Sequence, residues 1–280
     1  MRVVEYDPSR RSEVATLMER VWGTRPPEEE LAWFYEQNPV RPASVLLAEA
    51  DGRTVATVAI AFARMSLAGE TLEVGMPLRV ATDPAYRGQG IFGRLEAENE
   101  ERVAGLGIRL LLTVPNAASA PVFLARLGWQ RLPGFRVWVR PRLRRGRSGG
   151  SRRVERFGEP APRAGEGDRV LRDGAWLNWR FADAPASYRL LEGEGYAVTG
   201  RRGRFGVLAC VEGDLLAQAG AVAEGGTLLL AAPPPWRRRA YLLAGYLPSR
   251  RSFSVLGKAL DPAQPIPARP HFELGDLDFL

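Results

Sequence analysis

A chain of 280 residues, 45% of them hydrophobic, is long enough to build two modest domains with separate cores. A single cysteine, Cys210, excludes an intrachain disulfide, and with a single histidine, His271, it leaves no Cys/His zinc ligand set of the usual kind, so no metal is expected. The net charge of +7 is carried by arginine, Lys258 being the only lysine, and favours anionic ligands; no run of about 18 apolar residues is present to cross a membrane, and the charged start MRVVEYDPSRRSEV reads as cytoplasmic.

In chain order, residues 2–6 alternate as a short strand, and Asp7-Pro8-Ser9 caps a helix carrying Val14, Leu17, Met18 and Val21. A second helix runs from Glu28 through Leu31, Trp33, Phe34 and Tyr35 and stops before Pro39. Strands are predicted over Ser44–Ala50, Thr54–Ala63 and Thr71–Thr82, joined by turns at Asp51-Gly52 and Ala68-Gly69 and therefore antiparallel. A Gly-rich loop leads into an amphipathic helix over 91–105, followed by a buried strand Ile108–Val114, a short helix over 117–126 and a strand pair from Trp129 to Val139. This order is α/β with a mixed sheet.

Residues 140–156 hold Arg140, Arg142, Arg144, Arg145, Arg147, Arg152, Arg153 and Arg156, and FGEPAPRAGEG follows without apolar periodicity. The stretch reads as a solvated linker over 141–168 between domains at 1–140 and 169–280. Nucleic-acid binding through it lacks stacking aromatics, Phe157 excepted. The second half echoes the first. Trp33-Phe34-Tyr35 lies six residues before Pro39 as Trp179-Arg180-Phe181 lies before Pro185, Leu110–Pro115 matches Leu228–Pro233, and Leu127-Gly128-Trp129 matches Ala244-Gly245-Tyr246. The offset falls from 146 at the tryptophans to 118 at the prolines, so the second copy is 28 residues shorter across the interval that holds the Gly-rich loop and its helix. The expectation is a tandem repeat whose second copy has lost the cradle.

The loop carries the chemistry. Val80–Phe92 passes from strand through turn to helix, where unpaired amides and the helix dipole attract phosphate oxygens, and Gly88 and Gly90 let the backbone approach. It lacks the Gly-Lys-Ser/Thr of a Walker loop and the third glycine of a dinucleotide fingerprint.

Arg87-Gly88-Gln89-Gly90-Ile91 resembles the Gln/Arg-x-x-Gly-x-Gly/Ala signature of the Gcn5-related N-acetyltransferases (GNAT), with Phe92 at the last position, a departure shared with two-domain relatives similar to the enhanced-intracellular-survival acetyltransferases. Pro115-Asn116 and PVFLARLGW over 121–129 resemble the next family motif, and the likeness spans about residues 1–140. The resemblance implies a GNAT fold, a degenerate GNAT-like second domain that completes the acceptor pocket, and acetyl-CoA as co-substrate. It further implies backbone contacts from Val80, Ala81 and Thr82 to the acetyl and pantetheine groups, amides of Arg87, Gly88, Gln89, Gly90, Ile91 and Phe92 on the pyrophosphate, and Asn116 on pantetheine. The family's tyrosine acid falls at Phe123, which has no hydroxyl. Glu73 stands where several relatives keep a carboxylate that drains the amine proton through water, and equally reads as an exposed strand glutamate. The C-terminal carboxylate of Leu280, with Asp276 and Asp278 beside it, is the other candidate. The expected activity is transfer of an acetyl group to a primary amine of a small molecule or peptide by direct attack on the thioester, in a monomer or a homo-oligomer. A non-catalytic acyl-CoA-binding or regulatory module is the alternative.

Overall fold

The computed structural model describes residues 1–141, 152–158, 167–222 and 227–277, the side chains of 220–222 excepted. The elements are β1 (Arg2–Glu5), α1 (Arg11–Trp22), α2 (Glu28–Glu36), β2 (Ser44–Ala50), β3 (Arg53–Leu67), β4 (Glu70–Thr82), α3 (Ile91–Gly105), β5 (Leu110–Thr113), α4 (Ala120–Arg126) and β6 (Gln130–Pro141). There follow β7 (Arg152–Val154), β8 (Arg169–Val170), α5 (Gly174–Leu177), β9 (Arg189–Gly193), β10 (Gly195–Arg202), β11 (Phe205–Gly213), α6 (Leu216–Val222), β12 (Leu228–Ala231), α7 (Arg238–Leu243) and β13 (Leu247–Ala259). The fold is α/β with a mixed sheet, and the chain divides into two compact units: Met1–Arg64 with Leu72–Leu132 and Val255–Ile266, and Met65–Thr71 with Pro133–Ser254 and Pro267–Leu280.

In the first unit the sheet order is β1-β2-β3-β4-β5 followed by the end of β13. The turn between β2 and β3 is the expected Asp51-Gly52, both with positive φ (51° and 72°), the conformation that matches strand twist in a two-residue hairpin. β4 and β5 are parallel, with Gly75 opposite Leu111, and Leu256–Ala259 pairs antiparallel to β5. The core beneath α3 and α4 gathers Ile60, Leu111, Phe123, Leu127, Trp129 and Leu256. The amphipathic helix expected over 91–105 also buries polar groups. Asn99 is tied to Ser44 by two bonds, Ser44 Oγ to Asn99 Oδ1 at 2.6 Å and Asn99 Nδ2 to Ser44 O at 3.0 Å. Glu100 accepts from Trp129 Nε1 at 2.7 Å and from Lys258. Glu96 is wholly buried and neither carboxyl oxygen has a hydrogen-bond partner among the described residues.

In the second unit β7 lies on β9, β9-β10-β11 form a meander, β11 and β12 are parallel, and β12 pairs antiparallel with β6. Its succession β9-β10-β11-α6-β12-α7-β13 repeats that of β2-β3-β4-α3-β5-α4-β6. The chain closing α7 repeats the close of α4 in detail: Gly128 and Gly245 are both left-handed (φ 72° and 85°), and the following Trp129 and Tyr246 amides reach back to Phe123 and Tyr241. The shortened interval differs from expectation in one respect. The glycine loop is absent, but a helix persists in α6, seven residues against the fifteen of α3.

Two local expectations are corrected. The strand pair expected from Trp129 to Val139 is one strand, β6, continuing through Pro133-Gly134. Gly134 serves close approach instead of a turn, since a Cβ there would lie 2.1 Å from the Phe253 carbonyl oxygen. Within the stretch read as a linker, Arg152–Val154 form β7 and Phe157 is buried with its ring 5.7 Å from Tyr196, which removes it from base stacking. The remaining arginines of that stretch from 142 to 151 lie outside the described residues.

Glu96 gives a test. Burial, then the neighbouring Glu100, pushes its carboxyl well above the ordinary range, so the folded chain holds a proton that the unfolded chain releases near pH 4.3. The native state binds more protons across the window from about pH 4.3 up to the native pKa, so stability falls as pH rises through it. Glu96→Gln should flatten that fall and be the more stable protein above neutrality, as read by urea unfolding at a series of pH values. An unchanged slope would show that Glu96 is charged in the fold.

Candidate active site

The site is built where β4 leaves β5. The two strands are paired at Gly75 and Leu111, and beyond that position the hydroxyl of Thr113 donates to the Pro77 carbonyl at 2.9 Å, supplying a partner that the strand ladder does not. Arg79 then takes φ of 52°, a left-handed conformation rare outside glycine, and re-aims the backbone of Val80, Ala81 and Thr82. Its side chain is held by Glu30 at 2.7 Å and lies over the Phe34 ring at 4.6 Å, so α2 fixes the irregular residue in place.

Asp83 ends the strand and fixes the loop. Its amide donates to Val55 O at 2.8 Å, and its buried carboxylate accepts from Ala85 N at 3.0 Å, Arg20 Nε at 2.9 Å and Arg53 at 2.9 Å. Burial raises the carboxyl, but the Ala85 amide, Arg20 and Arg53 outweigh it and hold the group below its usual range. Tyr86 packs under Arg53 at 5.5 Å and bonds Asp51. Arg87 turns back to Thr82 O at 3.2 Å.

Gly88 and Gly90 have φ of 79° and 76°, and Gly90 is the N-cap of α3, which has no side-chain cap. The first amides of α3 have no carbonyl one turn earlier, so the helix start at Ile91 and Phe92 presents donors and the positive end of its dipole. A Cβ placed on Gly88 would meet nothing within 4 Å, and one on Gly90 would have a guanidinium nitrogen of Arg126 as its nearest neighbour, at 3.7 Å. A side chain at either glycine is therefore opposed by backbone conformation, not by crowding. Sequence reasoning does not single out Arg126. It lies inside the Pro121–Trp129 motif, and its guanidinium stands beside Gly90, where it adds a cation to a loop suited to anions.

Asn116 is exposed and follows β5; its Oδ1 accepts from the Ala118 and Ser119 amides, both at 2.9 Å, and so forms the turn that starts α4. Phe123 is buried, edge-on to Phe92 at 5.4 Å and to Trp129 at 4.8 Å, and belongs to the core. Glu73 sits near the start of β4, half-exposed and paired with Arg41 at 2.7 Å. Leu280 and Asp278 lie outside the described residues. Asp276 is committed elsewhere: it is buried with Glu273 around Arg172, at 2.5 Å and 2.7 Å, and its carboxylate caps the Glu273 amide. His271 is equally unavailable. Burial, then the charge of Arg172, lowers its pKa to about 3, and the neutral ring donates from Nε2 to Ala232 O at 3.2 Å. No cluster of His, Cys, Asp and Glu suited to a metal occurs among the described residues, and no described helix is long and apolar enough to cross a membrane.

A strand that parts from its parallel neighbour, and a glycine loop opening a helix behind it, coincide with a family match: a model described as an acetyltransferase (GNAT) domain covers residues 2–132. Residues 2–132 belong to the GNAT acetyltransferase family. No curated protein matches the chain in sequence. Solved GNAT structures share its fold: a GCN5-related N-acetyltransferase from Kribbella flavida (15% identity, TM-score 0.68, 93% of this chain and 71% of that one) and another from Anabaena variabilis (10%, 0.67, 93% and 73%). Eis1 from Mycobacterium abscessus is similar at 14% identity and TM-score 0.62, over 93% of this chain and 74% of that one. The GNAT domain over residues 2–132 supports acyltransferase activity.

Removing the Asp83 carboxylate tests the loop. Asp83→Ala should cost about 2 kcal/mol, the scale of hydrogen bonds to a charged group, and should speed amide exchange over residues 85–90 while α3 beyond Leu95 stays protected. The wild-type contribution is present above the unfolded carboxyl pKa near 3.9 and is lost as pH falls through the lower native value. Unaltered exchange in the loop would mean that Asp83 does not hold it.

Proposed function

We propose that this chain is an acetyl-CoA-dependent N-acetyltransferase that moves the acetyl group to a primary amine, carried on a small molecule or peptide, by direct attack on the thioester. The observation that carries the reading is the start of α3, where two left-handed glycines and the lack of any side-chain cap leave amides and a helix dipole for an anion. The residues fit the group: a pyrophosphate would be held by the amides of Arg87, Gly88, Gln89, Gly90, Ile91 and Phe92, with Arg126 adding charge. When bound, acetyl-CoA supplies an activated carbonyl and a thiol leaving group.

The rest is work for the chain itself. The backbone of Val80, Ala81 and Thr82, freed from pairing with β5, offers donors and acceptors along the acyl end, where a fixed N–H polarises a carbonyl without reorganisation. Asn116, which shapes the turn before α4, would contact the pantetheine arm. The attacking amine must lose a proton. Glu73 would take it through water, its ion pair with Arg41 setting the orientation of the carboxylate, and the Leu280 carboxylate is the second candidate. With Phe123 in the core, protonation of the leaving thiolate does not fall to a tyrosine at that position.

Thiol release from acetyl-CoA in the presence of amines, aminoglycosides, amino acids and peptides tests the activity. Saturable acetyl-CoA binding without acetylation of any amine would favour the non-catalytic module. Titration calorimetry should give one acetyl-CoA site per chain. Gly90→Val should weaken that site by more than tenfold, over 1.4 kcal/mol, in a protein that remains folded, whereas Gly105→Ala, which faces open space, should leave it intact. Wild-type affinity in folded Gly90→Val would remove the loop from cofactor binding.

A further inference from the structure

The second unit contains a pocket of about 800 Å³, within the size range of small-molecule sites, walled by Arg153, Phe181, Tyr188, Arg189, Thr199 and their neighbours. Three irregularities of the backbone and core meet there. The wall that carries Phe181 is a π turn, Asn178–Ala182, a geometry that helices adopt mostly as single turns and often at functional sites. The β10 wall is interrupted by a register shift against β11 between Val198 and Thr199, which re-aims the residue that follows. Thr199 itself is 1% exposed, and its hydroxyl has no hydrogen-bond partner among the described residues. A buried hydroxyl left without a hydrogen bond is costly to keep, so its retention on the wall of a pocket points to a partner that arrives from outside.

The pocket's charge says which partner. Arg189 lies directly opposite Thr199 in the β9–β10 register, and Arg153 extends the same wall from β7, against one lining carboxylate, Glu155. Phe181 and Tyr188 meet edge to face at 5.0 Å and supply an aromatic side. We infer that this pocket binds a small organic anion, its acidic group on Arg153, Arg189 and the Thr199 hydroxyl and its apolar body against Phe181 and Tyr188. Guanidinium and hydroxyl groups serve carboxylate and phosphate alike, so the acidic group is an oxyanion of either kind. The site needs no residue of the acetyl-CoA loop and stands whether or not that loop binds the cofactor.

The test is titration of the full chain, by calorimetry and by ligand-observed NMR, with phenylacetate, phenyl phosphate and the neutral phenylacetamide. One or both anions should saturate and the amide should not, the preferred anion identifying the acidic group. Thr199→Val, which keeps the shape of the side chain, and Arg153→Ala should each weaken the anion at least fivefold, with melting temperature and acetyl-CoA affinity as wild type. Equal binding of the amide, wild-type anion affinity in both variants, or no saturation of either anion by about 10 mM, weaker than a millimolar site, would overturn the assignment.

Discussion

The site depends on one departure from regular structure, the early parting of two parallel strands. β4 and β5 meet at Gly75, where a Cβ would lie 2.5 Å from the Leu111 side chain and 2.8 Å from that of Ile60, so those two side chains fill the space that any larger residue would need. Further along, backbone groups that would have paired across the sheet need other partners. Thr113 satisfies Pro77, Arg79 turns left-handed under the grip of Glu30 and Phe34, and Asp83 ties the strand's end to Val55, Arg20 and Arg53. Each of these fixes the chain without using the amides of the glycine loop that follows.

Charge is distributed so that little of it reaches the loop except as cation. Asp83, at the start of the loop, is buried and paired with two arginines, Asp51 is bonded to Tyr86, and Arg126 stands beside Gly90. In the second unit the acids near the end of the chain are consumed by Arg172, a buried pair whose geometry is bidentate toward Asp276. Removing Arg172 would strand two buried carboxylates, a loss of several kcal/mol of the kind seen when one partner of a buried ion pair is deleted. The excess of arginine over acids gives the chain a net charge of +7, which suits anionic ligands.

What the sequence disclosed is what local chemistry determines. Asp51-Gly52 and Ala68-Gly69 named their hairpins because positive φ is needed at both central positions, and Gly88-Gln89-Gly90 before an apolar-periodic helix named its loop. What it withheld depends on contacts distant in the chain. The strand pair expected from Trp129 to Val139 is one strand with Phe253 close against Gly134, Phe157 reads as part of a solvated tract until Tyr196 covers it, and Glu96 is enclosed although nothing in the sequence singles it out. Arg79 carries no glycine to announce its left-handed backbone, and the Thr199 bulge lies where the apolar run Tyr196–Val198 ends, with Gly200 next to it. Arg126 is hidden for another reason: its motif draws attention to Asn116 and the aromatic positions, and its proximity to Gly90 follows from the packing of α4 on α3, where Val122 sits 3.5 Å from the space above Gly93.

The most direct measurement is an amide-resolved titration of the isotopically labelled full chain with acetyl-CoA. If the glycine loop holds the pyrophosphate, the largest, saturable shifts fall at Gly88, Gln89, Gly90, Ile91 and Phe92, with a second group at Val80, Ala81 and Thr82 and no comparable change around α6. Binding that leaves the Gly88–Phe92 amides unmoved would contradict that role for the loop.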